Sequence, residues 1–272
     1  MGRVPRARNL LVASGVLKAE LHTHTADDPH DAIPYSGPQL IDRAAELGYQ
    51  VLAITLHDRQ YDARRLAGYA RERGVVLIPG VERTISGKHV LLLNFPPAAD
   101  RVRSFDEVRR LKRQSNGIVV APHPFFPTSA CLRGVLNQHA DLFDAVEINA
   151  FYTRRVDFNA RAVQWSETHG VPLVGNGDVH RLVQLGTTYS LIDAEPEADA
   201  VIEAVRERRV RVETAPISAA RAAAILGSMT IGDACGALRR WTRDGRLARD
   251  TTAQARTPQA TPMSAPTPTS NG

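Results

Sequence analysis

The chain is organised around a segment that begins with Glu20-Leu21-His22-Thr23-His24 and ends with Ala53-Ile54-Thr55-Leu56-His57-Asp58. Residues two apart in an extended strand point to the same face, so His22 and His24 should present two imidazoles side by side. His30 follows in a polar stretch, and His57 comes at the end of a second apolar strand. Imidazoles at successive strand ends indicate a metal site at one rim of a parallel sheet.

Short apolar strands alternate with amphipathic helical patterns along the rest of the chain. After the strands that end near His22 and at Thr55, strands are predicted at residues 75–78, 88–93, 118–121, 145–149, 171–174, 189–192 and 210–212. Helices are predicted at residues 37–47, 63–73, 104–113, 132–143, 159–169 and 197–208. This alternation predicts an α/β protein with a parallel sheet, and the number of units favours a barrel. In such barrels the chemistry lies at the C-terminal ends of the strands.

Composition divides the chain into four parts. The barrel is predicted over residues 18–213, behind a basic N-terminal extension at 1–17. Residues 214–250 are rich in alanine and then arginine, and they predict one or two appended helices. Residues 251–272 contain mainly Thr, Pro, Ala, Ser and Gln, which predicts a disordered tail.

Net charge and cysteine content bear on partners and compartment. The formal charge is +5, but residues 1–18 and 236–256 each carry +4, which leaves −3 for the remainder. Basic tails are mostly solvated, although some bind polyanions. Cys131 and Cys235 lie far apart in helix-like sequence, so a reduced, cytoplasmic protein is the simplest interpretation. No run approaches the ~18 apolar residues that span a bilayer, and no membrane partner is expected.

Ionisable side chains collect where the predicted strands end. They are His22, His24, His57, Glu82, His123, Glu147, Asp178 and His180, with His30 and His89 in adjoining segments. A lone histidine at a strand end is usually a hydrogen-bonded structural residue. So many imidazoles and carboxylates at one rim would require costly burial or repel one another unless cations bind them.

The order and spacing of these residues resemble the PHP (polymerase and histidinol phosphatase) family. The resemblance covers roughly Lys18 to Val212 and rests on motifs that are highly specific as a set. They are His22-x-His24, His30, Thr55-x-His57, Gly80-Val81-Glu82, His89, Pro122-His123-Pro124 and Asp178-x-His180. The resemblance implies a distorted (β/α)7 TIM-like barrel that holds two or three divalent metal ions.

The resemblance also implies how the ligands divide among the metals. One ion would be held by His22, His24, Glu82 and Asp178, and a second by Glu82, His89 and His123, with Glu82 bridging. A third would be held by His30, His57 and His180. Imidazole and carboxylate ligands suit Zn²⁺, Mn²⁺ or Fe²⁺, and the sequence does not rank these ions.

The sequence departs from the family pattern beside His57. The family usually has Asp before this histidine, where the chain has Leu56, and Asp58 follows instead. Asp58 is expected either to act as a supporting group or proton donor, or simply to cap the strand. We predict Asp178, His180 and Asp58 as catalytic residues, with a hydroxide shared by the metals attacking phosphorus in line.

Candidate substrate-binding residues follow the strand ends. Arginine forks grip phosphate well, and Arg59, Arg83, Arg154 and Arg181 are the candidates, with an ordinary surface position as the alternative for each. Phe125, Phe126, Phe151 and Tyr152 could pack against a sugar or base, or equally against the core.

Three functions remain open from the sequence. The leading hypothesis is a phosphomonoesterase acting on a small phosphorylated metabolite, such as a nucleotide, a sugar phosphate or histidinol phosphate. The alternative is a phosphodiesterase or nuclease that binds nucleic-acid ends through the basic termini, or that cleaves cyclic phosphates. A non-catalytic metal-binding module is the third. The oligomeric state is left open.

Overall fold

The structure, a computed structural model, describes residues 15–228. The predictions for the basic N-terminal extension, Cys235, most of the appended helices and the tail therefore fall largely or wholly outside the described residues. Nine strands form the sheet: β1 (Val16–Thr23), β2 (Val51–Ile54), β3 (Val76–Ile85), β4 (Lys88–Leu93), β5 (Ile118–Ala121), β6 (Ala145–Asn149), β7 (Leu173–Asn176), β8 (Thr188–Asp193) and β9 (Val210–Thr214).

Six α-helices lie between Gly37 and Arg206 and cover the sheet. They are α1 (Gly37–Glu46), α2 (Ala67–Arg71), α3 (Phe105–Arg113), α4 (Gly134–Gln138), α5 (Ala160–His169) and α6 (Ala198–Arg206), and residues 219–228 are also helical. The predicted capping box of α3 forms in part, since the Ser104 side chain accepts a hydrogen bond from the backbone nitrogen of Glu107. The long helices predicted at 63–73 and 132–143 are instead short α-helices combined with 3-10 turns.

The sheet confirms the predicted barrel-like α/β fold, in the order β7-β6-β5-β4-β3-β2-β1-β8-β9. β7 approaches the other end of the sheet closely. The backbone nitrogen of Gly175 donates to Ser190 Oγ at 2.9 Å, and Leu21 N donates to Asn176 Oδ1 at 3.0 Å. A Cβ atom at Gly175 would lie only 2.7 Å from the carbonyl oxygen of Tyr189, so this closure requires glycine.

The prediction of a wholly parallel sheet is wrong for two strands. β4 runs antiparallel to β3 and β5, and β8 runs antiparallel to β1 and β9. β3 and β4 are joined by Ser86-Gly87, both with positive φ, and a two-residue turn can join only antiparallel strands. The reversal brings the start of β4, which carries His89, to the rim where the parallel strands end.

Alternate residues of the strands pack on opposite faces of the sheet. Leu17, Ala19 and Leu21 of β1 pack in one buried cluster with Val201 and Ile202 of α6. Neighbouring strand positions, such as Leu52 and Ile54 of β2, pack with Leu40 and Ile41 of α1. The barrel is thus fixed from both faces, and its rim is free to carry polar side chains. Within residues 15–228 no helix has the length and apolar character needed to cross a bilayer.

Candidate metal centre

The predicted histidines and carboxylates meet at one rim of the barrel. His22 and His24 lie at the end of β1, with their ring centroids 5.3 Å apart. His57 follows β2, His123 follows β5, and Asp178 and His180 follow β7. Glu82 was expected at a strand end, but it lies inside the long strand β3, just beyond the part that pairs with β2. An isolated bridge between His57 and Glu82 extends the β2–β3 pairing to this level.

Glu82 is the central carboxylate of the cluster. Its Oε2 atom lies 3.2 Å from His22 Nε2, 3.4 Å from His24 Nε2 and 3.1 Å from His57 Nε2. Its Oε1 atom lies 2.7 Å from His89 Nδ1 and 3.2 Å from His123 Nε2. One buried carboxylate therefore contacts five imidazoles, an arrangement suited to a ligand that bridges two ions.

Asp178, after the end of β7, is a second carboxylate that contacts several imidazoles. Its Oδ1 atom lies 3.3 Å from His22 Nε2, 3.5 Å from His24 Nε2 and 3.3 Å from His180 Nδ1. His22, His24 and Asp178 each offer a ligand atom within 4.8 Å of the others, as do His24, His57 and His180. The four residues assigned to the first ion and the three assigned to the second are thus brought together.

The donor set fits divalent cations. His24 Nε2, His89 Nδ1 and Asp178 Oδ1 are buried yet have no hydrogen-bond partner, although carboxylate and imidazole atoms lie within contact distance. Buried polar atoms without partners are costly unless another group satisfies them, and a cation would do so. The ligand groups formed by the described residues contain only imidazoles and carboxylates. This chemistry matches the ions expected from the sequence.

Burial and charge oppose each other in setting the protonation of the cluster. Burial disfavours protonation of His22, but Asp178, Glu82 and Glu147 outweigh it and raise the pKa of His22 well above its ordinary value. Burial and His24 oppose protonation of His180, yet Asp178 and Asp31 raise its pKa to about 9. Burial would raise the pKa of Glu82, but its imidazole neighbours hold it well below the usual range. The cluster is therefore strongly polarised, with anionic carboxylates beside basic imidazoles.

A carboxylate behind His22 fixes its orientation. Glu147 Oε2 lies 2.8 Å from His22 Nδ1, and Glu147 accepts hydrogen bonds from Asn149 Nδ2 at 2.8 Å and Asn176 Nδ2 at 3.0 Å. The sequence predicts Glu147 at a strand end without assigning it a role. Glu20, two residues before His22 in β1, accepts hydrogen bonds from the backbone nitrogens of Gly177 and His22. A carboxylate on the second ring nitrogen of a ligand, as Glu147 is here, holds the ring in place and raises its basicity.

The acidic segment around His30 contains two residues that sequence reasoning missed. Asp28 Oδ2 lies 2.9 Å from His24 Nδ1 and 3.1 Å from His57 Nδ1, and Asp31 Oδ2 lies 2.9 Å from His180 Nε2. The imidazole of His30 is 55% exposed, and its Nε2 lies 3.4 Å from Asp58 Oδ2. His30 lies outside the groups of convergent ligand atoms, which include Asp28 and Asp31. Its role as a ligand remains a prediction.

Asp58 lies beside the cluster but is engaged elsewhere. It forms an ion pair with Arg83, and its Oδ1 accepts a hydrogen bond from the backbone nitrogen of Thr84 at 2.7 Å. Arg83 also donates to the carbonyl of Val102. A cavity, described below, opens beside the cluster; Asp178 and His180 line it, whereas Asp58 does not. Its catalytic role remains a prediction.

The four predicted phosphate-binding arginines are not brought to this cavity. Arg59 and Arg154 are exposed, and Arg83 is held by Asp58. Arg181 donates to the carbonyl oxygens of His180 and Ser228. The length of an arginine side chain lets its polar partners, not its place in the sequence, decide where the guanidinium lies.

Three of the predicted site residues have a backbone conformation that is rare outside glycine. Asp58, His123 and Asp178 have φ values of 52°, 29° and 47°. Left-handed conformations cost about 1–3 kcal/mol and are concentrated at functional sites. Here they occur where the chain leaves a strand, so the turn directs the side chain at the rim.

A cavity of about 530 Å³ opens beside the cluster. It is lined by Asp31, His57, Glu82, His89, His123, Asp178 and His180, and also by Phe126, Phe151, Phe158, Cys131 and Leu226. The Cys131 thiol, predicted in helix-like sequence, instead lies in the loop before α4. Its Sγ atom is 3.4 Å from His123 Nδ1. Phe125 and Tyr152, for which substrate contact and core packing were equal alternatives, do not line the cavity. A volume in this range is typical of small-molecule sites.

Comparison with known proteins supports the resemblance. A family model described as PHP-associated matches residues 157–210. Error-prone DNA polymerases of Mycobacterium bovis and Mycobacterium tuberculosis are each 33% identical over 133 residues, which is 42% of this chain and 11% of theirs. The match thus spans about a tenth of the length of these curated relatives.

Solved structures share the fold at low sequence identity. A two-domain Bacteroides vulgatus protein, described as containing a predicted PHP-like metal-dependent phosphoesterase, has a TM-score of 0.58 at 19% identity, covering 78% of this chain and 70% of its own. PsfC from Pseudomonas syringae has a TM-score of 0.56 at 17% identity, and the match covers 81% of this chain and 99% of PsfC. The lesion-specific endonuclease EndoQ of Pyrococcus furiosus has a TM-score of 0.51 at 15% identity, and the match covers 71% of this chain and 56% of EndoQ. The family-model match covers 54 of the 272 residues, and at these identities the solved structures show that the chain shares their fold.

Proposed function

We propose that this protein is a metal-dependent phosphoesterase, and specifically a phosphomonoesterase acting on a small phosphorylated metabolite. The observation that carries the proposal is the contact of Glu82 with five imidazoles at the floor of a small-molecule cavity. The partnerless buried atoms of His24, His89 and Asp178 support a cluster of divalent ions.

Two or three ions are assigned to the residues that the resemblance implies. The first belongs to His22, His24, Glu82 and Asp178, the second to Glu82, His89 and His123, and the third to His57 and His180 with His30. Divalent ions at such a site acidify water and neutralise the charge on phosphoryl oxygens. Glu147 and Asp28 would keep the ring nitrogens of His22, His24 and His57 aimed at the ions.

The chain's own residues would position the ester and move its protons. The oxygen of water bonds to phosphorus, the ester P–O bond breaks, the water loses a proton and the leaving alcohol gains one. Asp178 and His180 line the cavity, so we assign proton transfer to them. Asp58 is a less direct candidate because Arg83 and Thr84 engage its Oδ1.

Turnover of p-nitrophenyl phosphate with added Mn²⁺ tests the proposal. We expect hydrolysis by the wild type and loss of at least about 10³-fold in the His22→Ala/His24→Ala variant, because both first-ion imidazoles are removed. His139→Ala is the matched control, since His139 stacks on Phe105 away from the rim. No turnover by the wild type with Mn²⁺, Zn²⁺ or Fe²⁺ would favour a non-catalytic metal-binding module.

A phosphodiesterase acting on nucleic acid is the second candidate. The fold shared with the endonuclease EndoQ and the basic ends of the chain favour it. If it is correct, removal of residues 1–15 and 250–272 should weaken cleavage of an oligonucleotide and flatten its dependence on salt. Unchanged cleavage would exclude a role for the termini, and activity on monoesters alone would exclude this candidate.

A further inference from the structure

Two groups of residues dominate the lining of the cavity beside the candidate metal centre. One group consists of ligand candidates such as Glu82 and Asp178. The other group, here called the apolar wall, consists of Phe126, Pro127, Phe151, Phe158 and Leu226. A substrate whose phosphate contacts the ligand candidates must place its remaining atoms within the same cavity, so the apolar wall determines which alcohol it accepts.

The aromatic residues of the apolar wall lie next to the candidate ligand His123. The ring of Phe126 lies 6.4 Å from the imidazole of His123 in an edge-on arrangement, and 5.2 Å from the ring of Phe158. These separations are within the range over which aromatic rings interact. A flat ring attached close to the phosphate could therefore pack against this surface.

The polar side chains of the cavity, apart from the ligand candidates, are already engaged. Gln184 Oε1 accepts hydrogen bonds from the backbone nitrogens of His180 and Arg181, and Gln184 Nε2 donates to the carbonyl of Asp178. Asn149 donates to Glu147 and accepts from the backbone nitrogen of Phe151. Thr128 Oγ1 lies 3.0 Å from Cys131 Sγ. The hydroxyls of a sugar would have to compete with these bonds.

Charge also limits the substrate. Within residues 15–228, neither lysine nor arginine lines the cavity. A second anionic group on the substrate would be removed from water beside phenylalanine rings without a lysine or arginine to pair with it, which is costly. Carboxylates that line the same cavity, including Asp31 and Asp178, would repel it further.

Resting on the proposed phosphomonoesterase activity, we infer that the substrate is a phosphate monoester whose alcohol carries an uncharged aromatic ring. The ring packs against the apolar wall while the phosphate contacts the ligand candidates. This excludes bisphosphates and simple sugar phosphates as preferred substrates.

The test compares esters whose leaving groups have similar basicity. We expect kcat/KM for 2-phenylethyl phosphate to exceed that for ethyl phosphate by about tenfold or more, because only the former places a ring on the wall. The para-carboxylate derivative should lose about tenfold relative to 2-phenylethyl phosphate because its second charge has no partner. Equal values for the phenylethyl and ethyl esters would overturn the inference.

Substitutions in the apolar wall test whether the wall causes the preference for the aromatic ester. Phe151→Ala and Phe158→Ala should each lower the phenylethyl-to-ethyl ratio by about threefold to tenfold, mainly through KM. Phe125→Ala is the matched control, because Phe125 packs against Arg161 and the core and does not line the cavity. A ratio that is unchanged in both wall variants, with thermal unfolding showing them folded, would contradict the assignment of the wall.

A binding measurement separates this inference from the proposed function. Calorimetric titration of the Mn²⁺-loaded protein with 2-phenylethylphosphonate and ethylphosphonate reports the aromatic preference without turnover. Tighter binding of the aromatic phosphonate without hydrolysis of any ester would support the inference and reject the phosphatase activity. Hydrolysis of all esters with equal binding of both phosphonates would support the phosphatase activity and reject the inference of an aromatic preference.

Discussion

The carboxylate of Asp28 holds His57 at two points. Its Oδ2 atom accepts a hydrogen bond from the backbone nitrogen of His57 at 2.9 Å and lies 3.1 Å from the imidazole Nδ1 of the same residue. The same oxygen lies 2.9 Å from His24 Nδ1. One buried acid thus orients two candidate ligands that belong to different ions in the proposed assignment.

Asp28→Asn should weaken metal binding about 10–100-fold, because the amide cannot supply the negative charge that both imidazoles face. Competition titration with a chromophoric chelator measures this loss. Asp27→Asn is the control, since Asp27 is exposed and contacts only Thr25 among the described hydrogen bonds. Equal metal affinity in the two variants would show that Asp28 does not support the site.

Glu147→Gln should reduce metal affinity by a similar factor. The substitution keeps the shape of the side chain but removes the charge that lies 2.8 Å from His22 Nδ1. Glu167→Gln, at an exposed position of α5, provides a control that changes net charge equally. An unaltered affinity in Glu147→Gln would mean that its hydrogen bonds, not its charge, position His22.

The metal-free protein should lose stability as pH rises from 7 towards 9. The pKa of His180 is raised from its ordinary 6.5 to about 9, so its protonation stabilises the fold fully below about pH 6.5, and this contribution is lost as pH rises through about 9. The shift corresponds to roughly 3 kcal/mol. Thermal unfolding in the presence of a chelator measures the change.

His180→Gln should flatten this pH dependence of the free energy of unfolding. His22, His24 and His123 have raised pKa values as well, so a smaller slope of the same sign should remain. Constant or rising stability of the metal-free wild type between pH 7 and 9 would contradict the electrostatics described for the cluster.

The ion pair between Asp58 and Arg83 should contribute about 1–2 kcal/mol to stability, because both side chains are partly buried, at 24% and 15% exposure. A double-mutant cycle with Asp58→Asn and Arg83→Met isolates this coupling. Denaturant unfolding of the four proteins gives the free energies. A coupling below about 0.3 kcal/mol would show that solvent screens the pair, as it does at exposed sites.

The ligand candidates were predictable because strand ends are visible in the sequence and parallel strands share a rim. The prediction extended to Glu147, although its role behind His22 required the structure. The antiparallel course of β4 was signalled by Ser86-Gly87, a two-residue turn between two apolar runs, yet the β/α rhythm favoured a parallel strand.

The supporting residues were not predictable for a physical reason. Asp31 contacts His180, which is 149 positions away in the sequence, and no local pattern distinguishes it from any other loop aspartate. Arg181 follows the end of β7 as expected, whereas Arg83 lies inside β3, and the long side chains of both take their direction from Asp58 and from backbone carbonyls. Tertiary partners, not sequence position, decide these contacts.

Metal content tests the central claim most directly. After loading with Mn²⁺ or Zn²⁺ and exhaustive dialysis, elemental analysis should find two or three divalent ions per chain in the wild type. The His22→Ala/His24→Ala variant should retain at least one ion fewer, while His139→Ala should match the wild type. Less than one ion per wild-type chain, or equal content in the wild type and the double variant, would contradict a metal cluster built on Glu82 and Asp178.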